Sequence, residues 1–331
     1  MNATKTPTVD HTAASGFLRL PLALFRTAVA PQIDLYCPAE DNVQPRLLAS
    51  RELGITDAQI GEMAKREVSS LFVRKGDFER ASANLLESLE EIVADRSYPA
   101  EQRFQVLQST IAMEVEKSFR FTDCNRFVAL ADRVGTQITN LVDQGPIAPL
   151  ELFAVAEHDT TTFIHVTNVA AYAVMLAQAL TISDEDEQRQ IAVGALLHDI
   201  GKRSIPRDVL ASPSRLTIEQ REVMEKHPRI GYVELCGRDD LSFGQLMMVY
   251  QHHEWVDGSG YPVGVVGDEI HPWARLLAVV DVFDAVTASR PYRTGMDLSD
   301  ALELLNDGVD SQFDSEVVKC WTSLFHQPSQ K

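Results

Sequence analysis

The sequence predicts a mainly α-helical chain. An all-α bundle fills its C-terminal part, with a helical connector before it and a small α+β module at the N-terminal end. Three observations predict this. Apolar residues recur at helical spacing from Phe78 onward, as in Leu85, Leu86, Leu89, Ile92 and Val93. Runs of strand character fall before residue 78: Phe17-Leu18-Arg19-Leu20, Gln32-Ile33-Asp34-Leu35-Tyr36 and Leu71-Phe72-Val73-Arg74-Lys75. Capping signals then punctuate the C-terminal half at Ser183/Asp186 and Thr217/Gln220.

In chain order, residues 1–15 are small and polar, a frayed N-terminus. Residues 16–77 form the α+β module, in which Thr56 and Gln59 make a capping box for a short helix from Asp57 to Lys65. No catalytic constellation falls there, so a packing or regulatory role is expected. Residues 78–145 read as a connector or a dimerising stalk, which allows a homodimer. Gly145-Pro146 breaks the helical pattern. Residues 146–331 hold helices near His158 to Leu180, from Ser183 to His198-Asp199, and from Thr217 to His227-Pro228. Further helices follow near Phe243 to Glu254, Trp273 to Ser289, Ser299 to Asn306 and Glu316 to Phe325.

A length of 331 residues suits roughly two domains, at about 150 residues each. A hydrophobic share of 45% supports full cores and excludes a disordered chain. The formal charge of −18 argues against polymeric nucleic acid or an anionic membrane as partner. An anionic small substrate needs local positive charge instead, which bound metals supply. Cys37, Cys124, Cys236 and Cys320 lie far apart and read as reduced thiols of a cytoplasmic protein. Gly16 to Ala30 is interrupted by Arg19, Pro21 and Arg26, so it is no signal peptide. The apolar run Val169 to Ile182 is too short to span a bilayer.

The chemistry concentrates between Ala195 and Arg293. Here stand Leu197-His198-Asp199-Ile200-Gly201-Lys202, His227, His252-His253-Glu254, Asp257-Gly258-Ser259-Gly260-Tyr261-Pro262 and Asp281, with His165 one helix upstream. Imidazoles and carboxylates on neighbouring helices suit a first-row transition metal and give the bundle a metal core. Adjacent residues on a helix diverge by about 100°, so His198-Asp199 and His252-His253 point to more than one ion. Asp199 has two oxygens and suits a bridging position. Two ions about 3.5–4 Å apart form a clamp for in-line phosphoryl displacement. Lys202 offers charge to a phosphate or complements a helix end. Arg290 and Arg293 suit a phosphate or a guanine edge, or are surface cations. Asp257 to Pro262 forms a tight turn directly after the ligands.

Together these motifs resemble the HD-GYP domain, a subgroup of the HD phosphohydrolase superfamily, from about Glu157 to Phe325. The resemblance implies an HD-type bundle that hydrolyses cyclic di-GMP to linear pGpG and then GMP. It implies metal ligands at His165, His198, Asp199, His227, His252, His253 and Asp281. It makes Asp199 and Lys202 catalytic and places Lys202, Arg290 and Arg293 at the substrate; Asp159 is a further candidate for substrate binding. The loop Asp257, Gly258, Gly260, Tyr261 and Pro262 corresponds to one associated with GGDEF-type cyclases. Some members carry a Glu four residues before the first ligand His and bind a third ion. Thr161 stands there in this chain, so two divalent ions are expected, drawn from Fe, Mn, Ni or Zn. Another cyclic nucleotide such as cyclic GMP-AMP is an alternative substrate. A non-catalytic dinucleotide sensor or scaffold is the alternative outside the enzymes.

Overall fold

The computed structural model describes residues 17–21, 33–37, 45–65, 68, 70–74, 77, 89–91, 93–96, 103–104, 106–108, 124–143, 162–210, 212, 215–288 and 295–326. Expectations placed on residues 1–15 and 78–88, and on Asp159, Thr161, Arg290 and Arg293, lie outside them. The chain divides into two compact units, Met1–Ile92 and Val93–Lys331. The sequence reading instead drew its boundaries after residues 77 and 145.

The first unit is an α+β module around a four-stranded antiparallel sheet of order β1-β4-β2-β3. Its strands are β1 (Phe17–Pro21), β2 (Leu35–Cys37), β3 (Arg46–Ala49) and β4 (Ser70–Arg74). β2 starts later than the run Gln32 to Tyr36 suggests, and β3 was not foreseen. Its four residues follow no period-2 pattern, with Arg46 and Leu47 both exposed. Helix α1 spans Asp57–Lys65. The Thr56 hydroxyl accepts from Gln59 N at 3.3 Å, and the Gln59 carboxamide oxygen accepts from Thr56 N at 2.9 Å, the expected capping box.

The second unit is all-helical among its described residues, apart from one isolated bridge. Helix α2 (Cys124–Asp143) buries Phe127, Leu130, Val134, Ile138 and Leu141, spaced three and four apart as an apolar stripe requires. It packs on α3 (Thr162–Ala179) and α4 (Glu185–Leu197). So this part of the sequence-read connector belongs to the same compact unit as the bundle. α3 is buried continuously from Val166 to Ala177, which makes it a central helix.

Three boundaries differ from the sequence reading, one of them the helix from Phe243, which ends at Gln251 rather than Glu254. α4 is capped by Asp184, not Ser183: the Asp184 carboxylate accepts from Glu187 N at 2.8 Å. A charged acceptor satisfies a free helix donor more strongly than a hydroxyl does. After α5 (Arg207–Leu210), the helix capped by Thr217, α6 (Ile218–Met224), stops before His227. His227 opens a separate helix, α7 (His227–Leu235). Pro228 lies in the first turn of α7, where its missing N–H costs nothing, so it marks a start rather than a stop.

The remaining helices are α8 (Phe243–Gln251), α9 (Pro272–Thr287), α10 (Leu298–Asp307) and α11 (Ser315–His326). Tyr172 of α3, Phe283 of α9 and Trp321 of α11 meet edge to face, with ring centroids 5.0–5.6 Å apart. Each such pair contributes about 0.5–1.5 kcal/mol beyond its buried area. This cluster holds α3 against α9, and those helices carry His165 and Asp281.

Candidate metal centre

Helix ends orient the imidazoles. His198 directly follows α4, and its Nδ1 lies 2.6 Å from the Ala195 carbonyl. His227 follows α6, with Nδ1 2.8 Å from the Met224 carbonyl. His252 directly follows α8, with Nδ1 3.0 Å from Met248 O and 3.1 Å from Val249 O. The last carbonyls of a helix lack partners inside the helix, and the imidazoles supply them. A carbonyl can only accept, so Nδ1 carries the proton in all three rings. In the neutral ring, Nε2 is then a bare lone pair.

Those lone pairs converge. His227 Nε2 lies 3.2 Å from His252 Nε2 and 3.3 Å from Asp199 Oδ1. His198 Nε2 lies 3.4 Å from Asp199 Oδ2 and 3.8 Å from Asp281 Oδ1. Both His198 Nε2 and Asp199 Oδ1 are buried without a hydrogen-bond partner. Lone pairs facing one another in a dry site need a cation or a proton between them. Burial, with the charges of neighbouring rings, holds His252 neutral, and burial pushes the His253 pKa down to about 3. Ligand atoms gather within 4.8 Å in three sets: His227/His252/His253, His165/His198/Asp199 and His198/His252/Asp281. All the expected ligands therefore come together, and this donor set suits divalent metal. The C-terminal ends of α4 and α8 also face the cluster, and their partial negative charge favours cations.

On α3 and α9, His165 Nε2 is 3.0 Å from Asp281 Oδ1 and its Nδ1 is 2.6 Å from Asp284 Oδ2. Burial lowers the His165 pKa, but the hydrogen bonds to Asp281 and Asp284 outweigh it and raise it to about 10. Burial raises the Asp281 pKa and the His165 hydrogen bond and nearby imidazoles reverse this, so Asp281 stays ionised. Asp199 behaves likewise, with the Lys202 ammonium first among the opposing charges. Lys202 Nζ donates to Asp199 Oδ2 at 2.6 Å. Gly201 makes the approach of this segment to α7 possible, because a Cβ there would lie 2.0 Å from the His227 carbonyl oxygen.

The loop after His253 is built around the buried Glu254. Its carboxylate accepts from Val263 N at 2.7 Å, Gly264 N at 2.9 Å and Val265 N at 3.2 Å. Tyr261 N donates to His253 O at 3.0 Å, and the Tyr261 ring lies on the His253 ring with centroids 4.8 Å apart. Gly260 is required here, since a Cβ would fall 2.3 Å from Trp255 N. Asp257 accepts from Ser259 N and Oγ and closes the turn.

A family model described as HD domain matches residues 144–317, more than half the chain. The chain belongs to the HD domain family. Over 167 residues it is 40% identical to the cyclic di-GMP phosphodiesterase response regulator RpfG of Xanthomonas campestris pv. campestris, covering 50% of this chain and 44% of that protein. It is 32% identical to the cyclic di-GMP phosphodiesterase PA4108 of Pseudomonas aeruginosa, covering 56% of this chain and 44% of that one. It is 36% identical to 3'3'-cGAMP-specific phosphodiesterase 3 of Vibrio cholerae, covering 48% and 34%. The chain thus spans less than half the length of these relatives. Its fold is similar to that of Bd1817, an HDG"Y"P protein from Bdellovibrio bacteriovorus. The TM-score is 0.68 at 16% identity, over 94% of this chain and 100% of that one.

Within this HD domain, the sequence reading named the His/Asp cluster, Lys202 and the Gly260-Tyr261-Pro262 loop. It missed Asn168, which donates to Asp284, and the loop-binding role of Glu254. Asn168 lies one helical turn after His165, a spacing that could have flagged it.

Proposed function

We propose that this HD domain protein is a metal-dependent phosphodiesterase that hydrolyses cyclic di-GMP to pGpG and GMP. The observation that carries the reading is the convergence of His165, His198, Asp199, His227, His252, His253 and Asp281 beside Lys202. The names of the RpfG and PA4108 relatives support the substrate class. Thr161 offers no carboxylate, so the chain holds two divalent ions of the Fe, Mn, Ni or Zn class.

Divalent cations bound there supply Lewis acidity, lowering the pKa of water and drawing charge from a phosphodiester. The chain's own residues do the rest. The Nδ1–carbonyl bonds fix His198, His227 and His252 with Nε2 inward, so the donor set is organised before ligand arrives. Asp199 turns Oδ1 toward His227 and Oδ2 toward His198, so it would hold metal together with either imidazole. Lys202 is a preorganised cation for charge that grows on phosphate. Arg290, Arg293 and Asp159 are the candidates for the guanine and phosphate contacts. The Asp257–Pro262 loop is the candidate surface for a GGDEF-type partner. Among the described residues, no helix is long and apolar enough to cross a membrane, and we place the reaction in the cytoplasm.

The test incubates full-length, Mn2+-loaded protein with cyclic di-GMP and separates the nucleotides by chromatography. Appearance of pGpG is expected; recovery of intact dinucleotide at full metal loading would sink the enzymatic reading. A parallel incubation with 3'3'-cGAMP addresses the second reading, which the similarity to the Vibrio cholerae cGAMP-specific enzyme favours.

A further inference from the structure

A line of buried amides leads from His165 back to a segment outside the matched HD domain. His165 Nδ1 lies 2.6 Å from Asp284 Oδ2. Asn168 Nδ2 donates to the other oxygen, Asp284 Oδ1, at 2.9 Å. Gln108 Nε2 donates to Asn168 Oδ1 at 2.6 Å. Relative exposure is 1% for Asp284, 2% for Asn168 and 6% for Gln108, so none of these bonds competes with bulk water.

The direction of the chain is forced. A carboxylate only accepts, so Asn168 must turn its NH2 toward Asp284 and its oxygen away. That oxygen is buried and needs a donor, which the Gln108 NH2 provides among the described residues. On the other side of Asp284, the same rule puts a proton on His165 Nδ1. Nε2, 3.0 Å from Asp281 Oδ1, is then the ring atom that gives up its proton when a cation binds.

We infer that Gln108 and Asn168 are positioning residues that act through Asp284 to fix the orientation and tautomer of His165. The segment before residue 144 therefore tunes the affinity of the metal site. This inference rests on the metal-binding reading above. Nothing in the matched region supplies the Gln108 donor, because residue 108 precedes it.

The test measures Mn2+ affinity of the full chain, from the EPR signal of free ion, beside thermal unfolding of the metal-free protein. Asn168→Leu should weaken Mn2+ binding about tenfold, at the low end for partners of a metal-bound histidine. Gln108→Leu, one bond further out, should weaken it about threefold. The double variant should match Asn168→Leu rather than the product of both effects, as residues acting in one line do. Gln108→Glu, which cannot donate to Asn168 when ionised, should behave like Gln108→Leu. Leu107→Ala controls for packing: Leu107 is fully buried beside Gln108, and its truncation should lower the Tm without changing Mn2+ affinity. Wild-type uptake with unchanged affinity in Gln108→Leu overturns the relay alone. A wild-type chain that takes up no divalent metal overturns both the relay and the reading beneath it.

Discussion

Gly201→Ala probes how the ligand-bearing segments are packed. A Cβ at position 201 would lie 2.0 Å from the His227 carbonyl oxygen, 2.9 Å from the His227 carbonyl carbon and 2.7 Å from Gly231 N. All three are backbone atoms, so no rotamer change relieves the clash. Ordinary contact begins near 3.4 Å, so the two segments must part by more than an ångström. Overpacking of this kind costs about 1–3 kcal/mol, and rigid backbone neighbours place this case near about 3 kcal/mol. For a unit the size of Val93–Lys331 that is a fall in Tm of about 6–12 °C. The movement also pulls Asp199 Oδ1 from His227 Nε2, now 3.3 Å apart, so bound metal should fall too. Differential scanning calorimetry and elemental analysis read the two effects. Gly61→Ala is the control, because a Cβ there meets nothing within 4 Å; it should gain about 0.5–1 kcal/mol in its own unit. A Gly201→Ala protein with wild-type Tm and metal content would refute the packing argument.

The remaining expectations concern the site and its surroundings. His198→Ala and Asp199→Ala should each abolish turnover and reduce bound metal, read by chromatography and elemental analysis; full metal content in either would remove that residue from the ligand set. Lys202→Ala should retain metal and lose about a hundredfold in kcat, the usual cost of removing one preorganised charge partner. Unchanged kinetics would make Lys202 a solvated helix-end cation. Glu254→Gln leaves three amides with a weaker acceptor, at a cost of about 1.5–3 kcal/mol. Hydrogen exchange at Val263, Gly264 and Val265 should accelerate, and unchanged protection would count against this anchor. A chain beginning at Val93 should fold and bind metal, whereas one beginning at residue 146 exposes the α3 and α4 surfaces that α2 covers. A markedly lower Tm is expected for the shorter chain, and equal Tm values would contradict the packing described.

The residues that converge were legible because their chemistry is local in sequence. His198-Asp199 and His252-His253 are adjacent pairs, and His165 and Asp281 fall on helices whose apolar pattern is clear. The capping box at Thr56/Gln59 fixed α1 for the same reason, since both partners lie within one turn. The supports of the site were not legible. Asn168 and Asp284 are 116 residues apart, and Gln108 and Asn168 are 60 apart. Only the tertiary fold pairs them. The start of α7 was misread because Pro228 serves equally as a stop after one helix and as a first-turn residue of the next. One feature was readable in principle: histidines at or just beyond helix ends recur at His198, His227 and His252, and each turns Nδ1 onto a free carbonyl.

Charge ties the pieces of the proposed function to one another. The chain carries a formal −18, of which the ionised Asp199 and Asp281 fall in the site, beside the negative ends of α4 and α8. The Lys202 ammonium beside the site is already engaged by Asp199 at 2.6 Å. A cyclic dinucleotide with two phosphodiester charges gains little from such a surface without further positive charge. Divalent ions reverse the sign of the site only where the histidines hold Nε2 free and inward. On the proposed function, substrate binding is therefore linked to metal occupancy, and linkage is reciprocal: a bound dinucleotide would tighten the metals by the same factor. The supports around His165 and the carbonyls beneath the other rings then bear on substrate affinity without touching substrate, because each sets how firmly the cations are held.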